Sequence, residues 1–232
     1  MDEDLIIRSS SKHALIFGAS GLVGAHCIRN LLAHPAYDRV TAFSRRPLLV
    51  EHPKLTTVLV DFEEIPIWAD QIAGDDIYIC LGTTLKQAGS KQSFYHIEYD
   101  YIDQICSIGS HHGVKQLLLV SAMGANADSV FFYNQVKGLI EDNVKRKNFW
   151  AVHLFRPSVL IGAREEVRPL ESLAAGAGMA LRVLGPKLFA NITPIESEKV
   201  AHCMVESAQG TRSGVFFYPS SVIARLGKKN NG

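Results

Sequence analysis

The chain is poor in cysteine, and the cysteines it has are not arranged for chemistry. Cys27, Cys80, Cys106 and Cys203 are its only four, they show no CxxC spacing, and they lie in apolar stretches where cysteine acts as a small hydrophobe. A disulfide framework or a structural zinc site is therefore not what organises the fold. An excess of either charge is missing as well. With 24 Lys plus Arg against 23 Asp plus Glu there is no global field to hold a polyanion, so a dedicated nucleic-acid binder is not expected. Nine histidines occur without HxH or HxxxH spacing, which argues against a metal site. No apolar run is long enough to span a bilayer: the longest uncharged one, residues 173–181, is interrupted by Gly176 and Gly178 and bounded by Glu171 and Arg182, well short of the roughly 20 residues required. The first residues, Met-Asp-Glu-Asp, are acidic where a secretory signal needs a basic segment, so a cytoplasmic location is expected.

What the sequence does contain is a pattern. An apolar fraction of 47% over 232 residues is enough for one well-buried α/β core, and the 18 Gly and 9 Pro are ordinary usage, confining disorder to residues 1–11 and 227–232. Short apolar runs at 14–17, 40–43, 55–60, 77–81, 117–120 and 151–155 read as strands buried on both faces, the requirement of a parallel sheet. Helical stripes separate them. Phe94, Ile97, Tyr101, Ile105 and Ile108 are spaced three or four apart, and so are Phe132, Val136, Leu139, Ile140 and Val144 on a segment over about 131–147. Alternation of this kind predicts βαβ units in a doubly wound α/β sheet, organised as a single domain over 1–232. Residues 157–220 are expected to form a small C-terminal substrate cap, including a Gly/Ala-rich helix over 170–184, another helix starting near Pro194 and a short strand at 214–218.

The first strand runs into Gly18-Ala-Ser-Gly21-Leu-Val-Gly24 and then an amphipathic helix. In this setting Gly18 permits a tight turn, Gly21 lets backbone approach a pyrophosphate at the helix N-terminus, and Gly24 allows the helix to pack close to the strand. The spacing is GxxGxxG. At the end of the second strand, where a carboxylate would accept from an adenosine 2′-hydroxyl, stand Ser44, Arg45 and Arg46. Arginine there suits a 2′-phosphate, which predicts NADP(H) as cofactor. Asp61 ends the third strand, where it can either accept from the adenine amino group or stand as an exposed strand-end carboxylate. Leu81, Gly82 and Thr83 follow the fourth strand on the same carboxyl side of the sheet.

The fifth strand ends at Ser121, and Tyr133 and Lys137 follow at i and i+4 on the next helix, one turn apart on the same face. An ammonium beside a phenol favours the phenolate, so Tyr133 can exchange a proton with a carbonyl or alcohol oxygen while Ser121 orients it. Glycine loop, basic second-strand end, serine and YxxxK occur in this order on these elements, and with them the chain resembles the short-chain dehydrogenase/reductase superfamily over about residues 12–220. More narrowly it resembles the atypical branch that contains the Tat-interacting oxidoreductase proteins and their bacterial relatives. The stretches that carry this are Cys80-Leu-Gly-Thr-Thr84 with Ala88-Gly89, Tyr99-Asp-Tyr101, Val120-Ser-Ala-Met-Gly-Ala125, Phe132-Tyr-Asn-Gln-Val-Lys-Gly138 and Phe155-Arg-Pro157.

The resemblance implies a Rossmann fold and cofactor contacts at Gly18, Ser20, Gly21, Leu22, Val23, Ser44, Arg45, Arg46, Leu81, Gly82, Tyr133 and Lys137, with Pro157 and Val159 running beside the nicotinamide. It also exposes a departure. Typical members carry an Asn on the helix before the fifth strand as part of a proton relay, and residues 93–113 contain none, with Gln104 the amide inside that helix. The expected function is an oxidoreductase acting on a small carbonyl or alcohol. An NADPH-binding regulatory protein, which would bring in a protein partner, and a sugar-nucleotide epimerase or dehydratase are the alternatives, the latter usually needing a larger C-terminal region than the 76 residues after position 156. The atypical branch favours a monomer.

Overall fold

The structure, a computed structural model, describes residues 11–161 and 193–227. Its centre is a parallel sheet of seven strands. These are β1 (Lys12–Phe17), β2 (Tyr37–Ser44), β3 (Leu55–Leu59), β4 (Asp76–Ile79), β5 (Gln116–Val120), β6 (Ala151–Arg156) and, after a separate two-stranded ribbon of β7 (Leu160–Ile161) and β8 (Ile195–Glu196), β9 (Gly214–Pro219). The order across the sheet is β3-β2-β1-β4-β5-β6-β9, the doubly wound α/β arrangement expected from the apolar runs.

Period-two alternation sends neighbouring residues of each strand into different cores. The register row Leu15, Ile77, Leu117 and Val152 faces one side of the sheet. There it packs with Phe62, Ile65 and Trp68 of a 3₁₀ segment (Phe62–Gln71) and with the helices α4 (Tyr101–His111) and α5 (Phe132–Val144). The adjoining row Ile16, Tyr78 and Leu118 faces the other side, against α1 (Leu22–Ala33) and α6 (Ser197–Ser207). Two short helices, α2 (Leu85–Ala88) and α3 (Lys91–Tyr95), precede α4, and α7 (Ser220–Leu226) follows β9.

Two expectations are refined. The stripe over 94–108 is not one regular α-helix, because a π-helical turn at His96–Asp100 lies between α3 and α4. The wider turn changes the register, so that Glu98 is buried and Ile97 only half-buried, the reverse of what a 3.6 period dictates. Of the stretch 157–220, α6 packs on α1 and β9 completes the sheet beside β6, so both extend the main layers. The helix expected over 170–184 lies outside the described residues.

A polar chain runs along the sheet at the starts of the strands. The buried Asp76 carboxylate accepts from Tyr37 Oη at 2.5 Å, Lys12 Nζ at 3.1 Å and Gln116 Nε2 at 2.9 Å. His153 continues it, with Nε2 3.2 Å from Gln116 Oε1 and Nδ1 2.9 Å from Tyr218 Oη. Burial, with Lys12 adding repulsion, pushes the His153 imidazole down to about 4. It is therefore neutral in the folded protein near neutral pH, and its hydrogen bonds are made by that form.

Candidate functional site

Strand order reverses between β1 and β4, and in doubly wound sheets the crevice at such a switch point, beyond the carboxyl ends of the strands, is where ligands bind. The glycine loop sits there. Gly18 has φ +84°, and a Cβ on it would fall 2.5 Å from the carbonyl carbon and oxygen of Cys80. A Cβ on Gly24 would fall 2.1 Å from the Gly18 carbonyl oxygen, so α1 is pressed directly against the loop. The N-cap of α1 is Gly21, which has no side chain to cap the helix, and no acidic residue lies in the first turn. A pyrophosphate fits such an end, since it supplies the missing acceptors and the charge the helix dipole favours. Ser20 is exposed and Leu22 half-buried beside this end, whereas the Val23 side chain is buried in the core, leaving its backbone to face a ligand.

The ends of β2 and β3 are tied together by Val60 N–H donating to the Ser44 carbonyl at 3.0 Å. Ser44 is buried and its Oγ accepts from the Arg46 amide at 3.3 Å, while both arginine side chains are exposed. Two exposed arginines thus follow the strand end directly. Asp61 is exposed. Its Oδ1 accepts from the Glu63 amide at 3.0 Å and its carbonyl from Trp68 Nε1 at 2.9 Å, so it caps the 3₁₀ segment whatever else it contacts. Beyond β4, the backbone of Cys80 and Leu81 lies against Gly18, Gly82 and Thr83 follow, and the Thr83 amide donates to Glu98 Oε1 at 2.6 Å.

Ser121 directly follows β5, its amide donating to the Phe155 carbonyl at 2.7 Å. The next bond, Met123 N–H to the Pro157 carbonyl at 2.9 Å, carries the pairing past the strand ends and sets Pro157 beside the Ser121 loop. Val159 is placed by its carbonyl accepting from the Ile195 amide at 2.8 Å in the β7–β8 ribbon. The Ser121 side chain is buried, and its Oγ has no hydrogen-bond partner among the described residues. Leaving a buried hydroxyl unsatisfied costs about 1–3 kcal/mol, a cost that a bound ligand would remove.

Helix α5 is clamped on the loop after β5. Asn134 Nδ2 donates to the Gly124 carbonyl at 2.9 Å, the Asn126 amide to the Asn134 carbonyl at 3.0 Å, and a Cβ on Gly138 would fall 2.1 Å from the Ala127 nitrogen. That clamp fixes Tyr133 and Lys137 relative to Ser121. Lys137 is buried, with Nζ 3.4 Å from the Val120 carbonyl and 2.6 Å from Glu98 Oε2. Tyr133 is half-buried, its ring centroid 5.6 Å from that of Phe94. Among the residues the sequence pointed to, Ser121, Lys137 and Thr83 thus converge around β4 and β5, while Ser44, Arg45, Arg46 and Asp61 form a second group at the β2 and β3 ends. Glu98 was missed. A relay Asn is what residues 93–113 lack, and the amide inside that helix, Gln104, is exposed, whereas the group that meets Lys137 is a carboxylate one residue along from an expected core position.

Residues 18–158 match the family described as NAD(P)H-binding. The chain is 31% identical to protein HTATIP2 of Rattus norvegicus over 97% of this chain and 93% of the rat protein. It is 32% identical to protein FMP52-1, mitochondrial, of Scheffersomyces stipitis over 93% of this chain and 99% of the yeast protein. Among solved structures it is similar to MoeE5 in complex with UDP-glucose and NAD, with a TM-score of 0.68 and 14% identity over 89% of this chain and 75% of that one. It is similar also to a short chain dehydrogenase family protein from Francisella tularensis subsp. tularensis SCHU S4, with a TM-score of 0.63 and 12% identity over 93% of this chain and 100% of that one. At such identities the likeness to the solved structures is one of fold.

Proposed function

Because the chain belongs to the NAD(P)H-binding family and has its Rossmann-type sheet, we propose that it is an NADP(H)-dependent oxidoreductase acting on a small carbonyl or alcohol through Ser121, Tyr133 and Lys137. The observation that carries this reading is the buried, unpartnered Ser121 hydroxyl at the end of β5, one residue from the Val120 carbonyl that the Lys137 ammonium reaches.

The residues divide the work by position. Gly18, Gly21 and the uncapped first turn of α1, with Ser20, Leu22 and Val23 at its mouth, hold the pyrophosphate. Arg45 and Arg46 pair with a 2′-phosphate, Ser44 shapes the strand end beneath them, and Asp61 with Leu81, Gly82 and Thr83 borders the adenosine. Pro157 and Val159 flank the nicotinamide. A nicotinamide cofactor, when bound, supplies or accepts the hydride. Tyr133 Oη gives its proton to the oxygen of a carbonyl substrate, or takes one from an alcohol, and the Lys137 charge favours the phenolate that results. The Ser121 hydroxyl hydrogen-bonds the same oxygen and fixes its direction.

The test combines direct NADPH and NADH titrations with cofactor consumption on a panel of small carbonyls. Preferential NADPH binding and turnover on at least one compound are expected, with Tyr133→Phe losing turnover by about 10²-fold or more while cofactor affinity stays within about twofold. Unchanged turnover in that variant overturns the catalytic roles. Tight NADPH binding with no turnover across the panel would favour an NADPH-binding regulatory protein instead.

A further inference from the structure

We propose that Glu98 is a positioning residue of this site, the fixed counter-ion that keeps the Lys137 ammonium charged in its buried setting and aimed past the end of β5. The inference rests on the proposed function for the purpose it gives Lys137, but its physical content stands on three features of Glu98. Its carboxylate is buried, with Oε2 in an ion pair 2.6 Å from Lys137 Nζ that lacks hydrogen-bond angles and Oε1 accepting from the Thr83 amide at 2.6 Å. A single side chain therefore joins the catalytic helix α5 to the backbone that borders the cofactor site after β4. The backbone also leaves room for it: a Cβ on Gly82 would fall 3.3 Å from Glu98 Oε1, tighter than an ordinary contact.

The π-turn at His96–Asp100 is what delivers the carboxylate. In a regular α-helix each residue advances by about 100°, so the residue facing inward here would be Ile97. One wide turn brings Glu98 inward instead, and π-turns of this kind recur at functional sites because they re-aim a side chain without breaking the helix. A buried cation left unpaired is expensive, and a lysine in that position would shed its proton. The carboxylate 2.6 Å away offsets that cost, and Lys137 keeps the charge that Tyr133 requires. The Lys137 ammonium meets the Glu98 carboxylate from the π-turn and the Val120 carbonyl from β5, Tyr133 stands one turn earlier on α5, and the segment after β4 faces Glu98 with the amide of Thr83. The helical segment before β5, which has no relay asparagine, thus meets Lys137 through an ion pair.

The test reads the charge of Lys137 without requiring turnover. The rate of Lys137 acetylation by acetic anhydride, followed by peptide mass spectrometry from pH 6 to pH 11, gives a midpoint for wild type, Glu98→Gln and Glu98→Asp. Glu98→Gln keeps an acceptor for the Thr83 amide but removes the charge, and its midpoint is expected to fall by about 1–3 pH units, while Glu98→Asp stays near wild type. A loosened fold would speed labelling and draw the midpoint toward that of the exposed lysines, whereas loss of the counter-ion in a closed site takes it below them, which separates positioning from simple support. Equal midpoints in wild type and Glu98→Gln overturn the proposal. So does a wild-type midpoint below that of the exposed lysines in the same digest, a result that needs no variant to fold. The NADPH titration of wild type judges the functional reading separately: failure to bind NADPH sinks that reading, and the labelling midpoint still decides for or against Glu98.

Discussion

Arg45 and Arg46 stand exposed beside a buried Ser44, so their substitution tests cofactor choice with little penalty to the core. Arg45→Ala or Arg46→Ala is expected to weaken NADPH binding by about 1.5–3 kcal/mol, the worth of a hydrogen bond to a charged group, and to leave NADH nearly unchanged. Isothermal titration with both cofactors checks it, and equal weakening of the two removes the 2′-phosphate role. Gly18 behaves differently. Its φ of +84° and the Cys80 carbonyl 2.5 Å from any Cβ leave no room for alanine, so Gly18→Ala is expected to cost more than about 1 kcal/mol in urea unfolding and to abolish cofactor binding. Positions like these were legible in the sequence because their meaning follows from the element they end. Glu98 was not, since nothing in a carboxylate beside an apolar stripe announces that the helix will widen by one residue there.

At the scale of elements, the helices read correctly where they obey a 3.6 period and incorrectly where they depart from it. Of the stripe on α5, Val136, Ile140 and Val144 are buried in the core, while Phe132 and Leu139 are half-buried. The stripe before β5 fails at Ile97 because a π-turn carries no signature in residue spacing. The seating of α5 offers a second test. Gly138 lies against the backbone of residues 126–127, so Gly138→Ala must push the helix away or distort that loop, a change expected to cost about 1–3 kcal/mol in thermal unfolding. Because Tyr133 and Lys137 ride on the same helix, turnover is expected to fall further than stability alone accounts for. A variant with wild-type stability would show that α5 is not held by this contact.

For the molecule as a whole, acid sensitivity follows from His153. Its imidazole is pushed from the ordinary 6.5 to about 4 by burial, so below 6.5 the unfolded chain takes up a proton that the folded protein refuses until about pH 4. The stability this group contributes is present above pH 6.5 and is lost as pH falls through that window, on the order of 3 kcal/mol at most. Asp76, whose carboxyl burial raises, opposes the loss at the lower end. Comparing wild type with His153→Gln isolates the histidine: the difference in urea unfolding between pH 7 and pH 4.5 is expected to shrink in the variant, and an unchanged slope would show that the loss arises elsewhere. The sequence suggested neither this chain of polar groups nor the burial of His153, because its members come from six different strands and meet only through register.

That same register has a consequence for how the chain reaches its folded state. β6 pairs Ala151 with Gly214, and α6 lies on α1, so two contacts that complete the sheet and one of its faces join segments far apart in the chain. During synthesis the glycine loop and the Tyr133 helix emerge well before β9 exists, and β6 waits with an unpaired edge. Parallel pairings of such long separation form slowly and leave apolar surface uncovered in the interval. The nascent chain would then be a client for chaperones over that stretch, and truncation before β9 would leave a ligand-binding half that aggregates rather than folds.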